Sequence, residues 1–416
     1  MNAPPLRIPL RTARRLILTK QRLAGRRPSG GASDAILSVI RDLGYVQWDP
    51  VSIVAPSHLI SLWSRLERFR PTDLERLLWE EKKVLEHWTP MASLVLTEDY
   101  PLYASLMHRY PDSLTSSWGS QRTRAKEFLR SHAGLRQTIL HQLERKPRTL
   151  SDFGDHVRAR EDAEAWNPSS DVSTMLFHLT MTGEVMVVGH VGAQNLWGLS
   201  RGFLPGWVER APLPEAEFER EAAQRAVRAL GVASRPEITH YFVRGRYQHL
   251  QRTLDRLEAE GTLHRVTVEG LSDRMPRYLH AQDVRLLASL DDGAWQPRTS
   301  LVPPFDNLVA GTDRMVRLFG FRYVREQFLP REKRRFGTYV LPIVCGDQVI
   351  GRIDPRVDRK ANRLLVQAVH AEKDAPAGDE VGEEIAGTIA RFAGFLGVRE
   401  VSYSATVPRI WKRALR

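Results

Sequence analysis

The sequence predicts an α+β protein in which tandem winged helix-turn-helix domains precede a β-rich, barrel-like C-terminal domain. Three observations carry that prediction. A unit of helix, glycine, strand, turn and return strand recurs three times; a short helix and an arginine–glycine turn stand ahead of the third copy; and after residue 290 the chain turns to alternating, turn-punctuated β-rich segments.

The first copy is the loosest. Ile36, Ile40 and Leu43 form a helical stripe with Ser33 as the expected N-cap; Gly44 then ends the helix and Tyr45–Asp49 is the expected strand, closed by Pro50. The second copy places Val172, Leu176 and Leu179 at i, i+4 and i+7, ends at Gly183, and continues into strands over 184–188 and 193–199. The third copy repeats the spacing with Leu250, Leu254 and Leu257, then Gly261, a strand over 262–268, a polar wing loop and a return at 277–279. Ile238–Phe242 reads as the preceding helix, broken at Arg244-Gly245-Arg246, which completes a winged-helix outline. The expected partition is residues 1–130, 131–212 and 213–290 for three winged-helix domains and 291–416 for the β-rich domain. In that last region 338–344 and 348–354 form a hairpin through Gly346-Asp347, 361–370 is a further strand, and 379–396 is an amphipathic helix.

Length and composition fit a globular protein of about three domains, and no apolar run approaches the ~18 residues of a membrane span. A single cysteine excludes an internal disulfide; with no secretory h-region at the N-terminus, a reducing cytoplasm, close to the nucleoid, is the expected location. Lys and Arg number 61 against 49 Asp and Glu, a formal charge of +12, and such an excess points to a polyanion such as nucleic acid. Metalloprotease, Walker-loop, paired-CxxC and nucleophile-elbow signatures are absent, so the expected cofactor and metal complement is none.

What remains is Leu43-Gly44-Tyr45-Val46-Gln47-Trp48-Asp49. On an extended strand, residues two apart share a face, so Gln47 and Asp49 would stand roughly 7 Å apart, with Tyr45 beside them and Val46 and Trp48 turned to the core. A carboxylate and an amide on a buried strand of a basic protein call for a chemical reason. The plainer alternative is that Asp49 caps the next segment and Gln47 bonds to backbone.

Context favours chemistry. The segment from Leu43 to Arg65, the block Glu86-His87-Trp88, Glu98-Asp99-Tyr100-Pro101, Pro304-Phe305-Asp306-Asn307-Leu308, Arg317-Leu318-Phe319-Gly320-Phe321, Lys333-Arg334-Arg335-Phe336-Gly337, Tyr339-Val340-Leu341-Pro342 and Gly351-Arg352-Ile353-Asp354 together resemble the AlkZ/YcaQ-type family of bacterial DNA glycosylases. The resemblance implies winged-helix modules around DNA, removal of cationic N7-alkylated purines and, in some members, unhooking of interstrand crosslinks. Its catalytic signature, Gln, a hydrophobic residue, then Gln or Asp, falls on Gln47-Trp48-Asp49, which looks like the Asp-bearing, YcaQ-like (AlkX) branch. Trp48 departs from the usual aliphatic middle residue.

The expected activity is therefore a monofunctional glycosylase without lyase activity, with Gln47 and Asp49 catalytic and double-stranded DNA as partner of a monomer. Tyr45, His58 and His87 are candidates for supporting the site. Arg244, Arg246, His249 and Arg252, around the third helix, and Lys333, Arg334 and Arg335 are the expected DNA contacts. Arg122, Arg124 and Lys126 read as an exposed linker, Trp63, Leu66 and Phe69 as core, and Asp306 and Asp354 as turn residues. The competing class is a non-enzymatic multi-winged-helix DNA-binding regulator, which accounts for charge and repeats but leaves Gln47 and Asp49 without a role.

Overall fold

The computed structural model describes residues 4–28, 31–49, 51–89, 91–114, 119–156, 171–291, 293–404 and 406–415. Pro50 lies outside them. The chain mixes helices and strands and divides into two compact units, each assembled from separated segments: 1–71, 227–237 and 258–416 form the first, and 72–226 with 238–257 form the second.

The first unit holds two sheets. One is five-stranded and curled into a half-barrel: Thr299–Leu301, Leu341–Cys345, Gln348–Asp358, Arg363–Ala371 and Glu400–Tyr403, in that order. The Gly346-Asp347 turn falls where the sequence puts it, with Gly346 at φ 58°. The strand runs through Asp354-Pro355 instead of turning there, absorbing the proline as a bulge. Helix Asp379–Phe395 lays Ile385, Ile389 and Phe392, all fully buried, toward the core. Trp63 packs on Phe392 and Phe395, and Phe69 on Phe395, so the aromatic stripe is core, as read.

The other sheet orders Leu6–Ile8, Leu263–Val268, Arg277–His280 and Val232–Ser234. The third hairpin is therefore not a free wing: Leu6–Ile8 pairs with it in parallel, and Val232–Ser234 lies along its other edge. Periodicity within the hairpin carries no trace of partners so distant in sequence.

Helix Ala32–Leu43 buries Ile36, Ile40 and Leu43 at 1% exposure or less, each worth roughly 1.5–3 kcal/mol of burial. Its N-cap is Gly31, so Ser33 sits inside the helix and does not cap it. Gly44 ends it at φ 77°, a left-handed turn that a side chain would strain, and delivers the chain directly into Tyr45.

In the second unit, hairpin Val84–Trp88 with Ala92–Leu96 is one element. Helix Asp171–Met181, followed by the hairpin Val185–Val191 with Gln194–Leu199, is the second copy in the order read from sequence. Arg122, Arg124 and Lys126 lie on helix Gly119–Ser131; spaced two residues apart, they do not break the helical period, and the linker expectation is corrected.

Candidate active site

The Gln-x-Asp segment lies in the first unit. Regular strand covers only Val46–Gln47, shorter than the Tyr45–Asp49 expected, so the two-residue alternation does not reach Asp49. Burial shows the same thing. Tyr45, Val46 and Asp49 are buried, at 4%, 0% and 7% exposure, while Gln47 and Trp48 are half-buried. Trp48 does not enter the core as expected. It stacks on His58 with ring centroids 4.0 Å apart and planes within 19°. His58, in helix Ser57–Arg65, is thus brought to the motif as a support for the residue between Gln47 and Asp49.

Asp49 forms no ion pair among the described residues. Its Oδ1 accepts the Val51 N–H at 3.1 Å, a local turn bond of the kind the plainer reading foresees. Its Oδ2 is buried and accepts from nothing among the described residues. Burial pushes the carboxyl above the ordinary aspartate range, and the Val51 bond offsets that only in part. The charge reaches Tyr339, whose phenol is raised first by its own burial and then by Asp49; its hydroxyl donates to the Ala55 carbonyl at 3.3 Å. One carboxylate oxygen is tied down and the other held bare in a dry setting.

The surrounding shell comes from far along the chain. Asn307 Nδ2 donates to the Tyr45 carbonyl at 3.0 Å, fixing the strand that carries Gln47. The adjacent Asp306 is locked by Arg65 in a two-pronged pair, at 2.6 and 2.8 Å, with Ser61 Oγ at 2.7 Å and the Leu308 N–H at 3.0 Å. Asp306 is structural, and so is Asp354, whose Oδ1 accepts the Thr338 and Tyr339 N–H groups at 3.1 and 3.0 Å. Gly337, at φ 144°, has no room for a side chain, since a Cβ would stand 2.2 Å from the Asp354 carboxyl. Tyr339 and Asn307 escaped the sequence reading because nothing local marks a contact across more than 250 residues; their place in the family-like blocks was the only available signal.

Lys333 and Arg335 are exposed, on a loop whose Arg335, Phe336 and Gly337 N–H groups all donate to Glu326 Oε2 at 2.7–3.1 Å. Arg334 instead turns back, donating to the Leu329 carbonyl at 2.9 Å and Thr338 Oγ1 at 3.1 Å. It braces the loop, with Nε and Nη1 engaged within the protein.

The remaining candidates belong to the second unit. His87 is buried against Tyr103, centroids 4.7 Å apart, and burial with the Arg246 charge lowers its pKa to about 3. It is a neutral packed imidazole. Arg246, expected on phosphate, is only 5% exposed and donates to the Val243 and Trp88 carbonyls and Thr89 Oγ1 at 3.0, 3.3 and 3.3 Å. The turn at Arg244, with φ 47°, swings the next arginine inward. Arg244 is half-buried. His249 and Arg252 are exposed at the start of helix Leu250–Ala259. Glu219 accepts the His249 N–H at 2.8 Å and Thr253 Oγ1 at 3.0 Å. That carboxylate fills the helix N-terminus, leaving the His249 and Arg252 side chains as the exposed groups there.

A family model for AlkZ-like DNA glycosylases matches residues 40–395. Among solved structures, the chain is similar to the Streptomyces sahachiroi DNA glycosylase AlkZ: TM-score 0.68, 16% sequence identity, 96% of this chain and all of that one covered. At that identity the structural likeness speaks for the fold.

Proposed function

The chain belongs to the AlkZ-like DNA glycosylase family, and from that premise we propose that it hydrolyses the N-glycosidic bond of N7-alkylated purines in double-stranded DNA, as a monofunctional enzyme. The observation that carries this reading is the buried, unpaired Oδ2 of Asp49. An N7-alkylated purine already bears positive charge, so it departs with the N9 electron pair and needs no general acid. The sugar gains oxocarbenium character as it goes. Water then bonds to C1′ and yields its proton to the Asp49 carboxylate. Unit charges 4 Å apart attract by about 4 kcal/mol at an effective dielectric near 20, and the dry setting of Asp49 keeps that attraction from being screened away. Gln47, with one acceptor and two donors, holds the water or the sugar–phosphate. Water being the nucleophile, no lysine adduct forms and no strand cleavage follows.

Tandem winged-helix domains over 1–130, 131–212 and 213–290 belong to the same proposal. The helix-then-hairpin order of Asp171–Met181 with Val185–Val191 and Gln194–Leu199, and of Leu250–Ala259 with Leu263–Val268 and Arg277–His280, supports them. Crosslinked duplexes are the second substrate class, and a panel of monoadduct and crosslinked DNA ranks the two. Duplex carrying 7-methylguanine, incubated with the protein and heated in alkali, breaks at the damaged purines if bases have been removed. Sequence-selective binding with intact strands would instead establish the regulator.

Asp49 also sets a pH dependence. Its folded-state pKa is raised, so the active carboxylate is lost as pH falls through that raised value, and the acid limb of single-turnover base release lies above the ~3.9 of a free aspartate. The same burial makes the ionised group a cost to folding at neutral pH. Below the unfolded value the group is neutral in both states and the cost disappears. Asp49→Asn is therefore expected to melt above the parent at about pH 7, with the gap closing toward about pH 4; thermal melts across that range check it, and a variant that melts lower at neutral pH contradicts it.

For the exposed cations, Arg252→Ala or Arg335→Ala lowers by about 1 the slope of log affinity against log salt, alike on any duplex sequence. Anisotropy titrations over a salt series measure it. An unchanged slope removes that residue from the interface.

A further inference from the structure

The second unit contains a cavity of about 160 Å³ that the glycosylase reading does not use. Its apolar side is built from Trp88, Phe177 and Met181, with Trp88 and Phe177 meeting edge to face at 5.3 Å. Arg244 and Arg246 line the opposite side, and among the described residues no carboxylate lines it. Tyr110 and His178 make a neutral wall: the phenol lies 2.7 Å from His178 Nδ1, and burial lowers the imidazole pKa to about 4, so the ring is uncharged at neutral pH.

Arg246 is the unusual member. It is 95% removed from solvent, yet its three hydrogen bonds go to two carbonyls and a hydroxyl, and no carboxylate pairs with it among the described residues. Those bonds use Nε and Nη2, and among the described residues Nη1 has no acceptor. An uncompensated buried guanidinium is strongly disfavoured unless an anion completes it, and the fork of a guanidinium matches a carboxylate. Packing of the turn alone accounts for Nε and Nη2. It does not account for an arginine without a carboxylate partner among the described residues lining an aromatic-walled hole. The volume decides the size of the guest, since an apolar cavity of about 150 Å³ accepts benzene.

We propose that this cavity binds a single-ring aromatic carboxylate, its ring against the Trp88–Phe177 pair and its carboxylate on Arg246. The site lies within the second unit and its test uses no base-excision readout, so its failure and that of the glycosylase reading are separate events.

Benzoate is the probe, titrated calorimetrically into the full chain beside neutral benzamide. Benzoate is expected to bind saturably and at least ~10-fold more tightly than benzamide. Ala125→Leu, which fills the cavity from helix Gly119–Ser131, lowers benzoate affinity by ~10-fold or more, and Arg246→Met erases the preference for benzoate over benzamide. The proposal is overturned if the two probes bind alike, if benzoate does not saturate by about 10 mM, or if Ala125→Leu binds benzoate as the parent does. Should Arg246→Met fail to fold, the parent's discrimination between the two probes and the Ala125→Leu result still decide.

Discussion

Replacing Asp49 with asparagine is expected to leave duplex binding intact and, on the proposed chemistry, to slow base release from 7-methylguanine DNA by about 10²–10³-fold, the usual cost of removing one preorganised electrostatic partner of a transition state. The substitution keeps the shape and keeps an oxygen able to accept the Val51 N–H. On the proposed chemistry, what it removes is the charge opposite a developing oxocarbenium and the acceptor for the proton of water. Single-turnover kinetics with saturating enzyme separate the chemical step from binding, and anisotropy on the same duplex confirms that affinity is retained. Parent-like base release by the variant would take Asp49 out of the reaction. Gln47→Ala is the companion, expected to lower the same step while leaving the acid limb where Asp49 sets it, because the titrating group is untouched.

The second large effect concerns folding. Arg65 and Asp306 are both wholly removed from solvent and bonded through two prongs. Truncating either alone strands a buried charge, which costs about 3–5 kcal/mol. Arg65→Ala or Asp306→Ala is accordingly expected to shift the chemical-denaturation midpoint down sharply, with a smaller loss in the double variant than the sum of the singles, since removing both charges leaves neither stranded. Additive losses in that cycle would mean the two side chains act independently. Base release should fall in the singles as well, because Asp306 is next to the asparagine that holds the Tyr45 carbonyl.

Much of this was readable from residue order. Apolar spacing located helices Asp171–Met181, Leu250–Ala259 and Asp379–Phe395 to within a few residues, because each buries one stripe whatever lies beneath it. The Gly346-Asp347 turn is local chemistry and fell in place. The candidate segment around Gln47 and Asp49 stands out by composition and family likeness, while the strand expected to reach Asp49 stops at Gln47. What escaped was set by partners elsewhere in the chain. Arg246 and Arg334 read as surface cations, since sequence records a charge but not the carbonyls waiting to receive it. Ser33 looked like a cap because its hydroxyl suits the role, yet the helix already begins at Ala32, with Gly31 at its cap. Tyr339 gave no local sign of standing near a carboxylate.

The hydrogen bond from Asn307 to the Tyr45 carbonyl spans 262 positions. On a ribosome, Tyr45 and the Gln47 and Asp49 that follow it emerge early, and the Tyr45 carbonyl must wait for the last third of the polypeptide before its partner exists. A chain that stops short of Asn307 therefore carries Gln47 and Asp49 without the bond that ties down the strand leading to them.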